Sequence, residues 1–188
     1  MSYTMIVGIP GDVVECDVYK AASLIRWATF RSVMESEFSR KIVAFDAYGK
    51  FPNAGVESID DTSFTKKSEA GGGHGLTVSE IEQVFRLKEL DKKICFVPGN
   101  VLDTVPKWLE ENPRSRIALL PLDMDVYAPT RAALEQFWDR VVKGGIVVID
   151  DYNAVGGATR AVDEFLESKS IAVQKLGLSH VPSFFVKP

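Results

Sequence analysis

The sequence predicts an α/β fold in which a doubly wound, mostly parallel sheet closes in a C-terminal antiparallel hairpin. Two observations carry this reading. Apolar runs of strand length alternate five times with tracts of helical periodicity, the pattern of strands joined by crossover helices and covered on both faces. The tail then breaks the rhythm with two strand-like runs joined too briefly for a helix, so they must pair antiparallel.

"GDVVECDV", residues 11–18, is the first strand. "KAASLIRWATFRSVM" after it is rich in helix formers and places Leu24, Trp27, Ala28 and Arg31 on one face. "KIVAFDA" is the second strand. Residues 48–75 follow it, polar, Gly-rich and without periodicity, a length that marks a lid or binding loop rather than a plain connection. Thr77 and Glu80 have capping-box spacing ahead of Val78, Ile81, Val84 and Phe85, which starts a helix. "KKICFVPG" is the third strand, and a helix over Val101–Glu111 leads to the buried run Ile117–Leu122. The helix expected after Thr130 carries Leu134, Phe137, Trp138 and Val141, with Gly144 as its C-terminal stop. "GIVVIDDY" precedes a helix holding Ala161, Phe165 and Leu166, and "SIAVQKLGL" with "SFFVKP" forms the hairpin. Pro121, inside a central strand, lacks the N–H that a ladder needs and predicts a bulge there.

A chain of 188 residues suits one domain with a sizeable core, and 46% hydrophobic with 26% charged residues is the composition of an ordinary globule. The net charge of -4, with Lys and Arg in nothing longer than doublets such as Lys66-Lys67 and Lys92-Lys93, offers no basic stripe for a phosphate backbone. Nucleic acid is therefore not an expected partner. No apolar stretch reaches the ~20 residues that span a bilayer, and no basic-then-apolar leader opens the chain, so a membrane is not expected and the cytoplasm is the expected location. Cys16 and Cys95 lie in apolar runs and read as buried structural thiols. Trp27, Trp108 and Trp138 read as core, and His74 and His180 as solvated loop residues.

Chemistry gathers elsewhere. In "PLDMDVYAPT", Asp123 and Asp125 stand two positions apart at a strand-to-helix junction, and Asp150 and Asp151 end the next strand. Residues two apart on an extended chain point the same way, so the first pair shares a face. Ligands of open α/β sheets bind outside the carboxyl ends of the strands, and Glu15, Asp46, Asp123, Asp125, Asp150 and Asp151 all fall at or near that edge. Each acid alone reads as a helix cap or a solvated side chain. Six on one rim call for a cation or a chemical task.

The element order, with its closing antiparallel pair, is that of a Rossmann-like class I methyltransferase. The segments "PGDVVECDVYKAAS", "VAFDAYGKFP", "VPGNVLDTVP", "LPLDMDVYAPTRAALEQFWDRVVKGGIVVIDDY" and "RAVDEF", in this order over residues 11–165, resemble the macrocin O-methyltransferase family. That resemblance implies a methyltransferase using S-adenosylmethionine (SAM) and Mg²⁺ to methylate a hydroxyl of a sugar or glycosylated metabolite, and it is compatible with a homodimer. It implies Asp123, Asp150 and Asp151 as holders of the metal and Asp125 as the general base. It places the cofactor against Glu15, Asp17, Ser23, Asp46 and Ala47, with Asp46 on the ribose hydroxyls. One domain over residues 1–188 is expected, without the N-terminal helical arm common in the family, so closure over substrate falls to residues 48–75.

Two departures stand out. Asp17 and Ala21 occupy positions where the family has glycine, which lets the backbone approach the cofactor. Ala21 adds a methyl group to a turn that favours φ > 0, and the pair is expected to bind SAM more weakly than an Asp17→Gly, Ala21→Gly double variant would. Asp17 adds a charge that repels the cofactor's carboxylate and attracts its ammonium. Two other readings stay open: a degenerate methyltransferase fold acting as a binding module, and a phosphohydrolase of the haloacid dehalogenase type, which "LLPLDMDVY" also resembles. Chain order speaks against the second, whose Asp-x-Asp motif lies near the N-terminus.

Overall fold

The most apolar runs of the chain make the middle of the sheet. The computed structural model of the protein describes residues 2–50, 62, 71–175, 177 and 181–188. Strand β4 (Ile117–Leu122) buries all six of its residues, because it lies between β1 (Asp12–Cys16) and β5 (Val141–Ile149) with both faces covered. On the β1 side follow β2 (Ile42–Asp46) and the edge strand β3 (Ile94–Pro98); beyond β5 lie β7 (Ser183–Val186) and β6 (Gln174–Lys175). The seven-stranded order is β3-β2-β1-β4-β5-β7-β6, with β1 to β5 parallel and β7 antiparallel to both neighbours. The doubly wound sheet with its antiparallel close is the fold that the sequence predicts.

Helices cover both faces. On one, Leu24 and Ala28 of α1 (Ala22–Met34) and Ile81 and Phe85 of α2 (Val78–Leu87) pack with Val13, Ile42 and Ala44. On the other, Val105 and Trp108 of α3 (Val101–Glu111), Leu134 and Phe137 of α4 (Tyr127–Phe137) and Val162 and Phe165 of α5 (Gly156–Leu166) pack with Val14, Val43 and Phe45. Adjacent strand residues thus go to opposite cores, the period of two that a pleated strand imposes. Phe45 anchors the second core, meeting Trp108 and Phe137 edge-on at 5.7 and 5.6 Å between ring centroids. The capping box at α2 forms as predicted: the Glu80 N–H donates to the Thr77 hydroxyl, and the Thr77 N–H donates to Glu80.

Several expectations are corrected. Gly144 does not stop a helix. α4 ends at Phe137, Trp138–Arg140 is a 3-10 turn, and Val141 opens β5, in which Gly144 sits at φ 76°. The pairing of β4 with β5 shifts between Ile117↔Val141 and Leu119↔Ile146, so the kink falls at the Gly144-Gly145 pair rather than at Pro121. A Cβ on Gly145 would lie 2.8 Å from the Val142 carbonyl oxygen, which explains glycine there. Pro121 pairs with Val148 without a break. Cys95 is exposed, because β3 is an edge strand; Cys16 is buried. The first tail strand is two residues long rather than the length of "SIAVQKLGL", and α4 begins at Tyr127, ahead of Thr130. Most of the expected lid over residues 48–75, and His180, lie outside the described residues.

Candidate active site

Four backbone bonds align the strand ends into one rim. The Asp17 N–H donates to the Phe45 carbonyl (2.9 Å), the Asp123 N–H to Cys16 (3.1 Å), the Asp150 N–H to Leu122 (3.1 Å), and the Gly99 N–H to Asp46 (2.8 Å). Parallel pairing therefore carries Glu15, Asp46, Asp123, Asp125, Asp150 and Asp151 to the same carboxyl edge, where the sequence places them, and brings Asp17 there as well.

Asp123, Asp125 and Asp151 each offer one carboxylate oxygen, and these three atoms lie within 4.8 Å of one another. Asp125 reaches this position at φ 59°, a turn conformation that Asp tolerates better than most residues. Asp150 is exposed and hydrogen-bonded to Asp123, at the side of the triple rather than within it. Burial, with the charges of Asp150 and Asp151, pushes the Asp123 carboxyl far above the usual carboxylate range. Burial, with the charge of Asp151 and a hydrogen bond to it, raises Asp125 as well. Carboxyls so crowded hold protons unless a cation replaces them. Asp151 Oδ2 is buried without a partner. An all-oxygen donor set with an orphaned oxygen fits a hard divalent ion such as Mg²⁺.

The part of the rim where the resemblance places the cofactor is built around Asp46. Its Oδ2 accepts the N–H groups of Val18 (2.6 Å) and Tyr19 (2.8 Å), and its Oδ1 accepts that of Tyr48. Asp46 thus fastens the loop after β1 to the end of β2, and Ala47 beside it is partly buried. Both altered glycine positions have left-handed backbone, Asp17 at φ 68° and Ala21 at φ 60°. The strain inferred for Ala21 from the sequence is therefore present. Glu15 is 1% exposed; Ser23, in the first turn of α1, hydrogen-bonds it, and the Trp27 indole N–H donates to its Oε1 at 3.1 Å. Trp27, read as core, is thus also a positioning residue; its spacing of one helical turn from Ser23 was the available signal. Between α4 and α5, the Tyr127 hydroxyl donates to Glu164 (2.5 Å) and the Arg160 guanidinium lies 4.6 Å from the Tyr127 ring centroid, contacts that sequence reasoning missed.

These acids make stability depend on pH. Burial raises Glu15 from 4.5 to about 7, against the hydrogen bonds from Ser23 and Trp27. An acid raised in this way keeps its proton in the folded state after the unfolded chain has lost it, so stability falls as pH rises from 4.5 to 7 and levels off above. For Glu15 alone the loss is on the order of 3 kcal/mol. We expect the melting temperature in EDTA to be lower at pH 8 than at pH 5.5, with Mg²⁺ narrowing the gap; equal values in EDTA contradict the buried charges.

Fold and rim together define a class: the sheet order with its reversed seventh strand and acid-lined carboxyl edge is the class I methyltransferase fold. The chain belongs to the macrocin O-methyltransferase family, whose model matches residues 2–185. It is 31% identical over 161 residues to the 8-demethyl-8-(2,3-dimethoxy-alpha-L-rhamnosyl)-tetracenomycin-C 4'-O-methyltransferase of Streptomyces olivaceus, covering 84% of this chain and 59% of that protein. It is 26% identical over 167 residues to the demethyldecarbamoylnovobiocin O-methyltransferase of Streptomyces niveus, covering 87% and 61%. The chain thus spans about six tenths of the length of these relatives. Among solved structures, the calicheamicin methyltransferase CalS11 superposes with a TM-score of 0.76 at 25% identity, over 98% of this chain and 75% of that one. The O-methyltransferase NovP superposes at 0.84 with 21% identity, over 99% and 78%, a likeness of fold. The family and the position of Asp-x-Asp after β4 remove the haloacid dehalogenase reading. Among the described residues, no helix is long and apolar enough to cross a membrane.

Proposed function

We propose that the protein transfers a methyl group from SAM to a hydroxyl of a sugar or glycosylated metabolite, with a divalent ion held by Asp123, Asp150 and Asp151 and with Asp125 as general base. The observation that carries this reading is the convergence of Asp123, Asp125 and Asp151 at the sheet's carboxyl edge, with an orphaned oxygen on Asp151. The sugar acceptor is supported by relatives whose names specify rhamnosyl and TDP-rhamnose methylation.

SAM, when bound, supplies an electrophilic methyl group and leaves as the neutral thioether S-adenosylhomocysteine. A divalent ion, when bound, makes a neighbouring hydroxyl more acidic. The protein's own residues do the rest. Asp125, beside the ion's holders but on the turn after β4, takes the proton of the attacking hydroxyl. Asp46 fixes the loop after β1, which would line the cofactor's site, and Ser23 and Trp27 hold Glu15, which would face the cofactor's amino-acid end. Placement at strand ends would hold these residues rigidly around a bound cofactor and acceptor.

The test is methyl transfer from labelled SAM to a panel of TDP-sugars and glycosides, with Mg²⁺ or with EDTA. Label in a sugar product that disappears in EDTA supports the proposal. Transfer undiminished by EDTA sinks the metal, and saturable SAM binding without transfer to any acceptor favours a binding module.

A further inference from the structure

Each acid-bearing loop has a tyrosine just past its acid: Tyr127 two residues after Asp125, and Tyr152 next to Asp151. Both hydroxyls are taken by neighbouring carboxylates of one helix. Tyr127 donates to Glu164 Oε2 at 2.5 Å, and Tyr152 donates to Asp163 Oδ1 at 2.7 Å. Consecutive residues of a helix point about 100° apart, so Asp163 and Glu164 can reach two different loops. The backbone ties α5 to the same loops. The Ala158 N–H donates to the Asp125 carbonyl (3.1 Å), and the Ala154 and Val155 N–H groups, leading into α5, donate to that of Asp151 (2.9 and 3.0 Å). Ala158 and Glu164 stand about 9 Å apart along the helix, so the turn of Asp125 is held at two points. The Arg160 guanidinium, 4.6 Å from the Tyr127 ring centroid and bonded to Glu164 at 2.7 Å, stiffens the outer point.

We propose that Glu164 and Asp163 are positioning residues: through Tyr127 and Tyr152 they fasten Asp125 and Asp151 to one helix and so set the spacing of the two carboxylates. This goes beyond the methyltransferase reading but rests on it, and on its division of labour between base and metal. The four acids differ in how the sheet holds them. Asp123 and Asp150 are anchored by their own N–H groups, on the Cys16 and Leu122 carbonyls. Asp125 and Asp151 lie one or two residues beyond those anchors, and they are the two that the tyrosines serve. Carboxylate oxygens of Asp123, Asp125 and Asp151 crowd within 4.8 Å, where like charges drive them apart. Asp125 stands at φ 59° and Asp151 in the turn after β5, so both loops would open under that repulsion if nothing braced them. A helix fastened to both keeps the gap at the width that one ion fits.

The test uses Tyr127→Phe and Tyr152→Phe, which keep the rings and remove the hydroxyls. Each variant is measured for melting temperature in EDTA, for Mg²⁺ affinity by calorimetry, and for kcat and KM with the best acceptor of the panel of TDP-sugars and glycosides. Tyr127→Phe should lower kcat roughly 10-fold at saturating Mg²⁺, with KM and Mg²⁺ affinity within about two-fold, because the base is displaced and the ion is not. Tyr152→Phe should weaken Mg²⁺ binding roughly 10-fold, with kcat recovered at high Mg²⁺. Glu164→Ala should match Tyr127→Phe, and the double variant should be no worse than Glu164→Ala, since both remove one contact. Variants that lose only melting temperature, with kcat and Mg²⁺ affinity unchanged, overturn the proposal and make the two bonds braces of the fold. Equal loss of Mg²⁺ affinity in both tyrosine variants also overturns it, leaving methyl transfer standing. A wild type that methylates no acceptor overturns the positioning role together with the reading it rests on.

Discussion

If the proposed function holds, Asp151→Asn should abolish methyl transfer in Mg²⁺ while SAM affinity stays within a few-fold. Asp151 carries the oxygen that the fold buries without a partner, and it contributes to the close triple with Asp123 and Asp125. An amide keeps the shape but loses a negative charge, and a hard divalent ion discriminates strongly against that exchange. SAM affinity should survive, because the residues proposed for the cofactor, Glu15, Asp17 and Asp46, hang from the ends of β1 and β2, while Asp151 follows β5. The same substitution should raise the metal-free melting temperature at pH 8, since one buried repulsive charge is gone. The checks are initial rates, SAM calorimetry and thermal melts on one preparation. Retained turnover removes Asp151 from the metal site, and loss of SAM binding shows that the two halves of the rim are not separate.

Asp125→Asn should cut turnover by roughly 10²–10⁴-fold, the usual loss on removing a positioned general base, and leave metal affinity nearly intact. The structure makes this a sharp question, because an Asp125 oxygen lies as near to Asp123 and Asp151 as a ligand would. Two features favour the base. Asp125 stands on a left-handed turn three residues past the end of β4, and Asp150, hydrogen-bonded to Asp123, is present to complete the holding set. Raised Mg²⁺ should not rescue the variant if Asp125 is the base. A collapse in metal affinity, with rate restored by millimolar Mg²⁺, makes Asp125 a ligand and puts the base elsewhere.

Much of this rim was legible because strand ends can be read locally. Apolar runs stop where Asp46, Asp123 and Asp150 begin, and parallel pairing then carries those ends to one edge. Thr77 and Glu80 announced α2 by a rule spanning four residues, and it held. What failed needed partners distant in sequence. Cys95 looks as apolar as Cys16 until the strand order puts β3 at the edge. Gly144 looks like a helix stop until β7 pairs with β5 across it, the Gly144 N–H donating to the Lys187 carbonyl at 2.8 Å. Pro121 sits flat because the extra residues needed to restore register are supplied by β5. That Asp17 and Ala21 stand where the resemblance expects glycine was visible in the sequence, but only φ of 68° and 60° shows that both residues adopt the left-handed backbone that favours glycine.

The proposed use of SAM is tested most directly by calorimetric titration of SAM into the wild-type protein, once in Mg²⁺ and once in EDTA. Saturable one-to-one binding of similar affinity is expected in both, since the acids proposed for the cofactor lie after β1 and β2 and those proposed for the ion after β4 and β5. No saturable binding at millimolar SAM would contradict it.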